Sequence, residues 1–237
     1  MTLEKATLPV PQFDQITLDL LKPQIEQAIQ QGQAFLEHLK TVPETLQEQL
    51  QTLAKIDELE NNLSESWGVL SHLNAVMNNA ETREVHQALL PALSEYYTAL
   101  GQHTALYQTY QQIHDASIFN TLPVAQQSAI KLALRDFKLS GVALEGDAKK
   151  RYAEISARLS KLSSDFSNHV LDATQAYFKP LTEDQLAGLP QSSVELLTQY
   201  GQQRELEQAV ATLDIPSYLA IMTYASDRTV REELYKA

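Results

Sequence analysis

The fold is decided by the stretch LALRDFKLSGVALEGDAKKRYAEISARLSKLSSDFSNHVLDATQAY, which runs from Leu132 to Tyr177. In its second half, apolar residues recur every three or four positions, the spacing of one face of an α-helix. These residues are Tyr152, Ile155, Leu159, Leu162, Phe166, Val170 and Ala173. Charged residues stand between them, namely Lys149, Lys150, Arg151, Glu154, Arg158, Lys161 and Asp165. The pattern predicts one long amphipathic helix whose apolar face is buried against a helical core.

A short loop bracketed by Gly141 and Gly146 precedes this helix. Asp147 is predicted to be the N-cap, because its carboxylate can accept hydrogen bonds from the unpaired amides of the first turn. The G-x4-G spacing is also half of a phosphate-binding loop. The lysine that such a loop requires is missing, however, and Asp147 would repel a phosphate. A tight loop followed by a helix cap is the favoured interpretation.

The rest of the chain predicts a mainly α-helical fold, a bundle of long antiparallel helices with a small β element near residues 209–224. Only seven of the 237 residues are glycine, and Leu, Ala, Gln and Glu are abundant, which favours helices. Residues 1–16 are predicted to be an extended N-terminal arm, because two prolines forbid a helix there. Residues 17–146 are predicted to form a helical domain, and residues 147–237 the long helix with the start of a further domain.

Local signals place several boundaries. The first long helix is predicted to follow Pro23. Thr41 and Glu44 match a capping box that would open the second helix, and Pro91 is predicted to kink or split a third helix over 82–113. The segment 209–224 is rich in Val, Leu, Ile, Thr and Tyr, which predicts one or two short strands. A final helix is predicted to begin at Asp227.

The composition argues against several classes of function. A net charge of −12 at pH 7 disfavours nucleic acid, whose phosphates require clustered Lys and Arg, and it also disfavours anionic membranes. The chain has no cysteine, so it can form neither disulfides nor a reactive thiol. It shows no secretory signal and no apolar run of about 20 residues that would span a bilayer. The cytoplasm is the expected location.

The histidines do not predict a metal site. Zinc hydrolases typically bind the metal through two histidines one helical turn apart, with a glutamate beside the first. None of the six histidines is followed by Glu, and no two lie within five positions. They are His38, His72, His86, His103, His114 and His169. We therefore predict that the chain supplies no catalytic, cofactor-binding or metal-binding residue. His103 is the best candidate for a special role, and a hydrogen bond in the core explains it equally well.

A set of tyrosines offers a possible peptide-binding surface. They are Tyr96, Tyr97, Tyr107, Tyr110, Tyr152 and Tyr177. Their rings could pack against a peptide while their hydroxyl groups bond to its backbone. Such tyrosines more often lie at the edges of helical cores, which is the favoured interpretation.

Several segments in order carry a family resemblance. The run F-x3-G-x2-L at Phe137, Gly141 and Leu144 is followed by KRYAEISARLSKLSSDFSN (150–168) and VLDAT (170–174). Further matching segments are LPVPQF (8–13), SHLNAV (71–76), LPALSEYYTALGQHTALYQTY (90–110) and TLDIPSYLAIMTYA (212–225). Together they resemble the bacterial oligopeptidase A branch of the thimet oligopeptidase family, over nearly the whole chain.

This resemblance implies a cytoplasmic zinc metallopeptidase that hydrolyses short peptides, cleaved signal peptides among them, inside a deep channel. The family's zinc motif, HExxH on a helix, lies downstream of the matching region. The chain is therefore expected to be an N-terminal piece that forms one wall of the channel, with zinc and the catalytic half supplied by the rest of the parent enzyme. The fragment itself is expected to be inactive. The alternative is a stand-alone helical module that binds partner helices through an apolar groove.

The end of the chain leads to one more expectation. Leu213, Ile215, Leu219, Ile221 and Met222 form an apolar stretch, and the helix after it carries Val230, Leu234 and Tyr235. If the parent enzyme supplies the chain that covers these residues, the fragment would expose them. Self-association through residues 210–237, or poor order there, is the hypothesis that follows.

Overall fold

The computed structural model describes Pro11 and residues 13–237. Most of the predicted arm at 1–16, including most of the LPVPQF segment, lies outside the described residues. The structure divides into two compact units, the first ending at Lys161 and the second covering Leu162–Ala237. The division predicted from the sequence, at 146/147, stays a prediction.

The first unit is built from five helices and the first half of a sixth. The helices are α1 (Leu18–His38), α2 (Leu46–Val76), α3 (Ala80–Gly101), α4 (Thr104–Asp115), α5 (Val124–Leu139) and α6 (Gly146–Ala176). A short 3-10 segment, Ser117–Thr121, joins α4 to α5. Because α2 and α3 pack together across a three-residue connection, they run antiparallel.

The core of this unit lies among α1, α2 and α3. Ile25 of α1, Leu63 and Leu70 of α2, and Tyr96 of α3 are all essentially inaccessible to solvent. Gly32 allows α1 to approach α3 closely, since a Cβ on Gly32 would lie 2.5 Å from the Tyr96 ring. A smaller apolar cluster beside α4 and α5 completes the unit.

Three boundaries differ from the sequence predictions. α1 begins at Leu18, five residues before Pro23, and accommodates the proline because packing of its flanking residues Leu21 and Ile25 holds the helix. α3 continues through Pro91 and ends only at Gly101, so the break falls between α3 and α4 and not at the proline.

The capping box is also displaced, since its N-cap is Thr45, four residues after the predicted Thr41. The Thr45 hydroxyl accepts a hydrogen bond from the amide of Glu48 at 3.3 Å, and the Glu48 carboxylate accepts one from the amide of Thr45 at 3.0 Å. Thr41 lies outside α2. The two T-x-x-E patterns, 41–44 and 45–48, follow one another directly in the sequence, and the second is the one followed by an unbroken helical repeat.

These two threonines allow a direct test. Thr45→Ala is expected to lower the free energy of unfolding by about 1 kcal/mol, because an amide at the start of α2 loses its partner. Thr41→Ala is expected to change it by less than about 0.5 kcal/mol. Urea unfolding followed by circular dichroism measures both. A larger loss at Thr41 would place the cap where the sequence first suggested it.

The long helix predicted from the sequence is present as α6, but its apolar face is not buried. Leu159 is 58% exposed and Phe166 is 70% exposed, and Ile155, Leu162 and Val170 are exposed as well. The one buried residue of α6 is Asn168. The prediction that this face packs against a helical core is therefore wrong for the described part of the chain. A helical repeat identifies residues that share a face, but it does not supply the element that covers them.

The second unit combines the end of α6 with a two-stranded sheet and three short helices. Its elements are β1 (Phe178–Pro180), a 3-10 turn (Asp184–Leu186), α7 (Gln191–Gln202), β2 (Val210–Thr212), α8 (Ile215–Tyr224) and α9 (Arg228–Lys236). β1 and β2 are antiparallel, with Phe178 opposite Thr212. Leu197, Ile221, Val230 and Leu234 form its core.

The mainly α-helical fold with a small β element is thus confirmed. Within 209–224, however, only Val210–Thr212 is a strand, and the prediction of strands over the remainder is wrong. Asp214 and Pro216 start a helix there, since proline near the first helical position needs no hydrogen-bond donor. The Ser217 hydroxyl accepts a hydrogen bond from the Thr212 amide at 2.8 Å and ties the strand to α8. The last helix begins after Asp227, as predicted.

Candidate functional site

The histidines among the described residues do not belong to a metal-binding cluster. Among Pro11 and residues 13–237, no group of three or more His, Cys, Asp or Glu side chains is placed to hold a metal ion. The described residues therefore offer no donor set that fits zinc. The assignment of no catalytic, cofactor or metal residue to this chain stays a prediction.

His103 has a structural role that its sequence context only hinted at. Its Nδ1 accepts a hydrogen bond from the Leu106 amide at 3.1 Å and so caps the start of α4. That bond places the ring proton on Nε2, which donates to the Leu36 carbonyl oxygen at 3.0 Å. Burial lowers the pKa of His103, which favours this neutral form. His103 thus joins α4 to the end of α1.

His86 lies in a different environment, stacked against the only tryptophan of the sequence. The rings of His86 and Trp67 are 4.5 Å apart at an interplanar angle of 23°. His86 is buried, its Nδ1 atom has no hydrogen-bond partner, and burial lowers its pKa. The imidazole is therefore expected to be neutral at pH 7.

This burial predicts that acid destabilises the fold through His86. The unfolded chain has a histidine pKa of about 6.5, so below that pH it binds a proton that the folded chain resists. Stability is expected to fall as the pH drops from about 6.5 towards the lowered pKa of the folded state. His86→Phe should reduce this fall while keeping the stack on Trp67. Thermal unfolding midpoints at several pH values, with Trp67 fluorescence as the probe, measure the effect.

His38→Gln, a substitution of an exposed histidine, is the comparison variant. The part of the slope that survives in His86→Phe is expected to come from His103, whose pKa is also lowered by burial. If His86→Phe unfolds with the same pH dependence as the wild type, the role assigned to His86 is wrong.

The loop between Gly141 and Gly146 ends α5. The amide of Val142 donates to the Phe137 carbonyl oxygen and the amide of Gly141 to that of Lys138, both at 3.1 Å, the two bonds of a Schellman cap. Gly141 has a φ of +75°, which this cap requires. The prediction of a tight loop is supported, whereas the prediction of Asp147 as the N-cap is wrong, because α6 begins at Gly146 and Asp147 lies in its first turn.

The six tyrosines divide between core and surface. Tyr96 is buried in the first unit, and its hydroxyl donates to the Glu60 carboxylate at 2.5 Å. Tyr107 and Tyr110 are half-buried beside Phe137, with ring centroids 5.8 and 5.6 Å from it. Tyr177 is half-buried in the second unit. These four match the favoured interpretation as residues in or beside helical cores.

The remaining two tyrosines line an open cavity within the first unit, between α2, α3 and the first half of α6. Its volume is about 360 Å³, and it also contains Trp67. Five residues with hydroxyl groups line it together with the aromatic residues, and the polar and aromatic walls comprise Tyr97, Tyr152, Trp67, Ser94, Thr98, Ser140, Ser156 and Ser160. Leu90 and Leu93 complete the lining. None of these side chains is charged at pH 7. Such a cavity can bind uncharged hydrogen-bonding groups next to flat apolar ones.

We therefore regard this cavity, called here the serine–aromatic cavity, as the candidate site, with the exposed α6 face as a candidate contact surface. The sequence reasoning grouped Tyr97 and Tyr152 with the other tyrosines and did not select the serines. Ser156 and Ser160 follow Tyr152 at intervals of four residues, so the three side chains share one side of α6, and this polar repeat at helical spacing was the available signal.

Comparison with known proteins defines the class. The model of the N-terminal domain of neurolysin and thimet oligopeptidase matches residues 25–149. The chain belongs to the neurolysin/thimet oligopeptidase family, which confirms the resemblance seen in the sequence.

Within this family, the chain is similar to several oligopeptidases A. The chain is 41% identical to oligopeptidase A of Haemophilus influenzae over 229 residues and 39% identical to oligopeptidase A of Escherichia coli over 231 residues. It is 33% identical to a probable cytosolic oligopeptidase A of Arabidopsis thaliana over 235 residues. Each match covers 96% of this chain but only 33%, 34% and 33% of the respective relative. The chain thus spans about a third of the length of these relatives.

None of the helices within the described residues is both long and apolar enough to cross a membrane.

Proposed function

We propose that this chain is the helical N-terminal part of a cytoplasmic, zinc-dependent oligopeptidase that hydrolyses short peptides, including cleaved signal peptides. The observation that carries the proposal is the alignment with oligopeptidase A, which covers 96% of the chain at 41% identity, together with the family match over 25–149. In this proposal the helices form one wall of the peptide channel. The zinc ligands and the water-activating glutamate lie in the rest of the parent enzyme.

Two surface features support a role as a channel wall. The serine–aromatic cavity offers hydroxyl groups and aromatic rings without charge, which suits peptide bonds more than a charged ligand. The exposed apolar residues of α6 form a stripe that the described residues leave uncovered. We infer that the remainder of the parent enzyme covers this stripe, since large exposed apolar patches commonly mark contact sites.

Two measurements test the proposal. The full-length gene product should cleave a quenched fluorogenic peptide, lose activity with a chelator and regain it with zinc. The 237-residue chain alone should cleave nothing and bind no zinc tightly in equilibrium dialysis, because its described residues bring no ligand set together. One-to-one zinc binding by this chain, together with chelator-sensitive cleavage, would contradict the assignment of its residues.

A stand-alone helical interaction module is the second candidate, and the uncovered face of α6 is the observation that favours it. The coding sequence that follows Ala237 separates the two candidates. An HExxH motif there supports the peptidase, whereas an immediate stop codon supports the module.

Self-association through residues 210–237 also stays a proposal, although its basis is narrower than the sequence suggested. Ile221, Val230 and Leu234 are buried within the second unit, and β2 is paired with β1. Only the side chains that remain exposed could mediate it, namely Ile215, Leu219, Tyr224 and Tyr235. Light scattering on this chain and on one ending near Gly201 would measure the contribution of the segment.

A further inference from the structure

A second cavity of the first unit, of about 300 Å³, lies between α2, α4 and α5. Its walls are mostly aliphatic, contributed by residues such as Leu50, Leu53, Leu122 and Ile130. Three polar side chains belong to this lining, those of Asp57, Tyr110 and Gln126, and only Asp57 is acidic. The cavity therefore combines an apolar interior with one acidic group, and it contains none of the residues that line the serine–aromatic cavity.

Asp57 lies at the exposed rim of this cavity, and no cation among the described residues neutralises its charge. Within the described residues it has no hydrogen bond or ion pair with any basic side chain. Partial burial raises the pKa of the Asp57 carboxyl, with no opposing effect from a cation. The carboxylate is thus partly desolvated without a partner.

Glu60 lies one helical turn further along α2 and adds a second negative charge. It accepts a hydrogen bond from Tyr96, and burial raises its pKa, with a smaller contribution from repulsion by Asp57. The pKa of Tyr110 is raised chiefly by burial and then by the charges of Asp57 and Glu60. Asp57 and Glu60 thus place two acidic groups near the Tyr110 side of the cavity.

We propose that this cavity binds the basic side chain of a peptide, with the aliphatic part of a lysine in the apolar interior and its ammonium group at Asp57. Lysine places four methylene groups before its charge, so it can bury the stem while the ammonium stays at the hydrated rim. The negative charges of Asp57 and Glu60 would repel an acidic side chain. A purely aliphatic one would leave the Asp57 carboxylate partly desolvated and unpaired.

That the bound cation belongs to a peptide rests on the proposed function. That the cavity prefers a cationic side chain rests on its own residues. The proposal therefore concerns substrate selection by side chains outside the catalytic half. It is tested by binding to this chain, without any cleavage step.

The test uses two acetylated and amidated pentapeptides, Ala-Ala-Lys-Ala-Ala and the same peptide with norleucine in place of lysine. Norleucine has the same four-carbon chain but no ammonium group. Titration of the 15N-labelled 237-residue chain at low salt should give about fivefold tighter binding of the lysine peptide, the upper range for an exposed ion pair. The shifted amides should include those of Asp57, Tyr110 and Ile130.

Asp57→Asn should remove most of this preference, since it keeps the size of the side chain and loses the charge. Glu65→Gln is the matched control, because Glu65 also lies on α2 but does not line the cavity, and it should leave the preference intact. Equal binding of both peptides, binding of neither, or an unchanged preference in Asp57→Asn would each overturn the proposal. Failure of the proposed function would instead appear as a full-length protein that cleaves no peptide.

Discussion

Gly201→Ala is expected to lower the free energy of unfolding of the second unit by about 3 kcal/mol, the upper range for inserting a methyl group into a filled site. Gly201 lies in the last turn of α7, and a Cβ placed on it would lie 1.9 Å from the carbonyl oxygen of Gln208. That oxygen belongs to the backbone, so it cannot rotate away as the end of a side chain could. The approach is fixed further by the Leu206 amide, which donates to the Gly201 carbonyl oxygen at 3.0 Å.

Gly68→Ala provides the matched control. Gly68 lies inside α2, and a Cβ there would meet nothing within 4 Å. Because glycine is unfavourable inside a helix, this substitution should raise stability by about 0.5–1 kcal/mol. Urea unfolding followed by circular dichroism, with hydrogen exchange to locate the loss, distinguishes the two variants. A neutral Gly201→Ala would mean that α7 and the chain leading into β2 do not approach as closely as described.

Leu70→Ala is expected to cost about 2–5 kcal/mol, because Leu70 is fully buried in the core of the first unit and truncation leaves a cavity. Leu159→Ala removes the same atoms from a side chain that is 58% exposed, and it should cost less than about 0.5 kcal/mol. Both variants can be compared in a single series of urea unfolding curves.

This pair of leucines also tests what covers α6. The helical repeat of the sequence assigned Leu159 to a core, whereas the structure leaves it exposed. If Leu159→Ala costs as much as Leu70→Ala, the face of α6 is covered in solution, and the oligomeric state of the chain would then show whether a second copy covers it.

The helices were predictable because they depend on local repeats, whereas burial and the candidate sites depend on contacts between distant residues. The apolar repeat of α6 identified the helix correctly but carried no information about a partner for Leu159. The composition of 209–224 favoured strands, yet Asp214 and Pro216 set a helix start that outweighs the average preference of the segment. The local signals that were placed correctly, such as the cap at Asp227, each involve residues only a few positions apart.

The two cavities depend even more on contacts between residues that are distant in the sequence. Asp57 and Tyr110 are on different helices and distant in sequence, so only the packing of α2 against α4 brings them to one cavity. Neither residue forms a motif with its neighbours that would have selected it. His103 was selected for a special role or a hydrogen bond in the core, but its position inside a helix predicted over 82–113 gave no sign that it caps the start of α4.

The antiparallel pair of β1 and β2 has a consequence for the folding rate of the second unit. The strands are separated by about 30 residues that include α7, and closing this segment has an entropic cost that only three residue pairs between the strands offset. The contacts of β2 with α7 and α8 join neighbouring elements and can form earlier. We therefore expect the strand pair, with the Lys179–Glu233 ion pair beside it at 2.6 Å, to form after the folding transition state. Substitutions there should accelerate unfolding and leave the refolding rate almost unchanged.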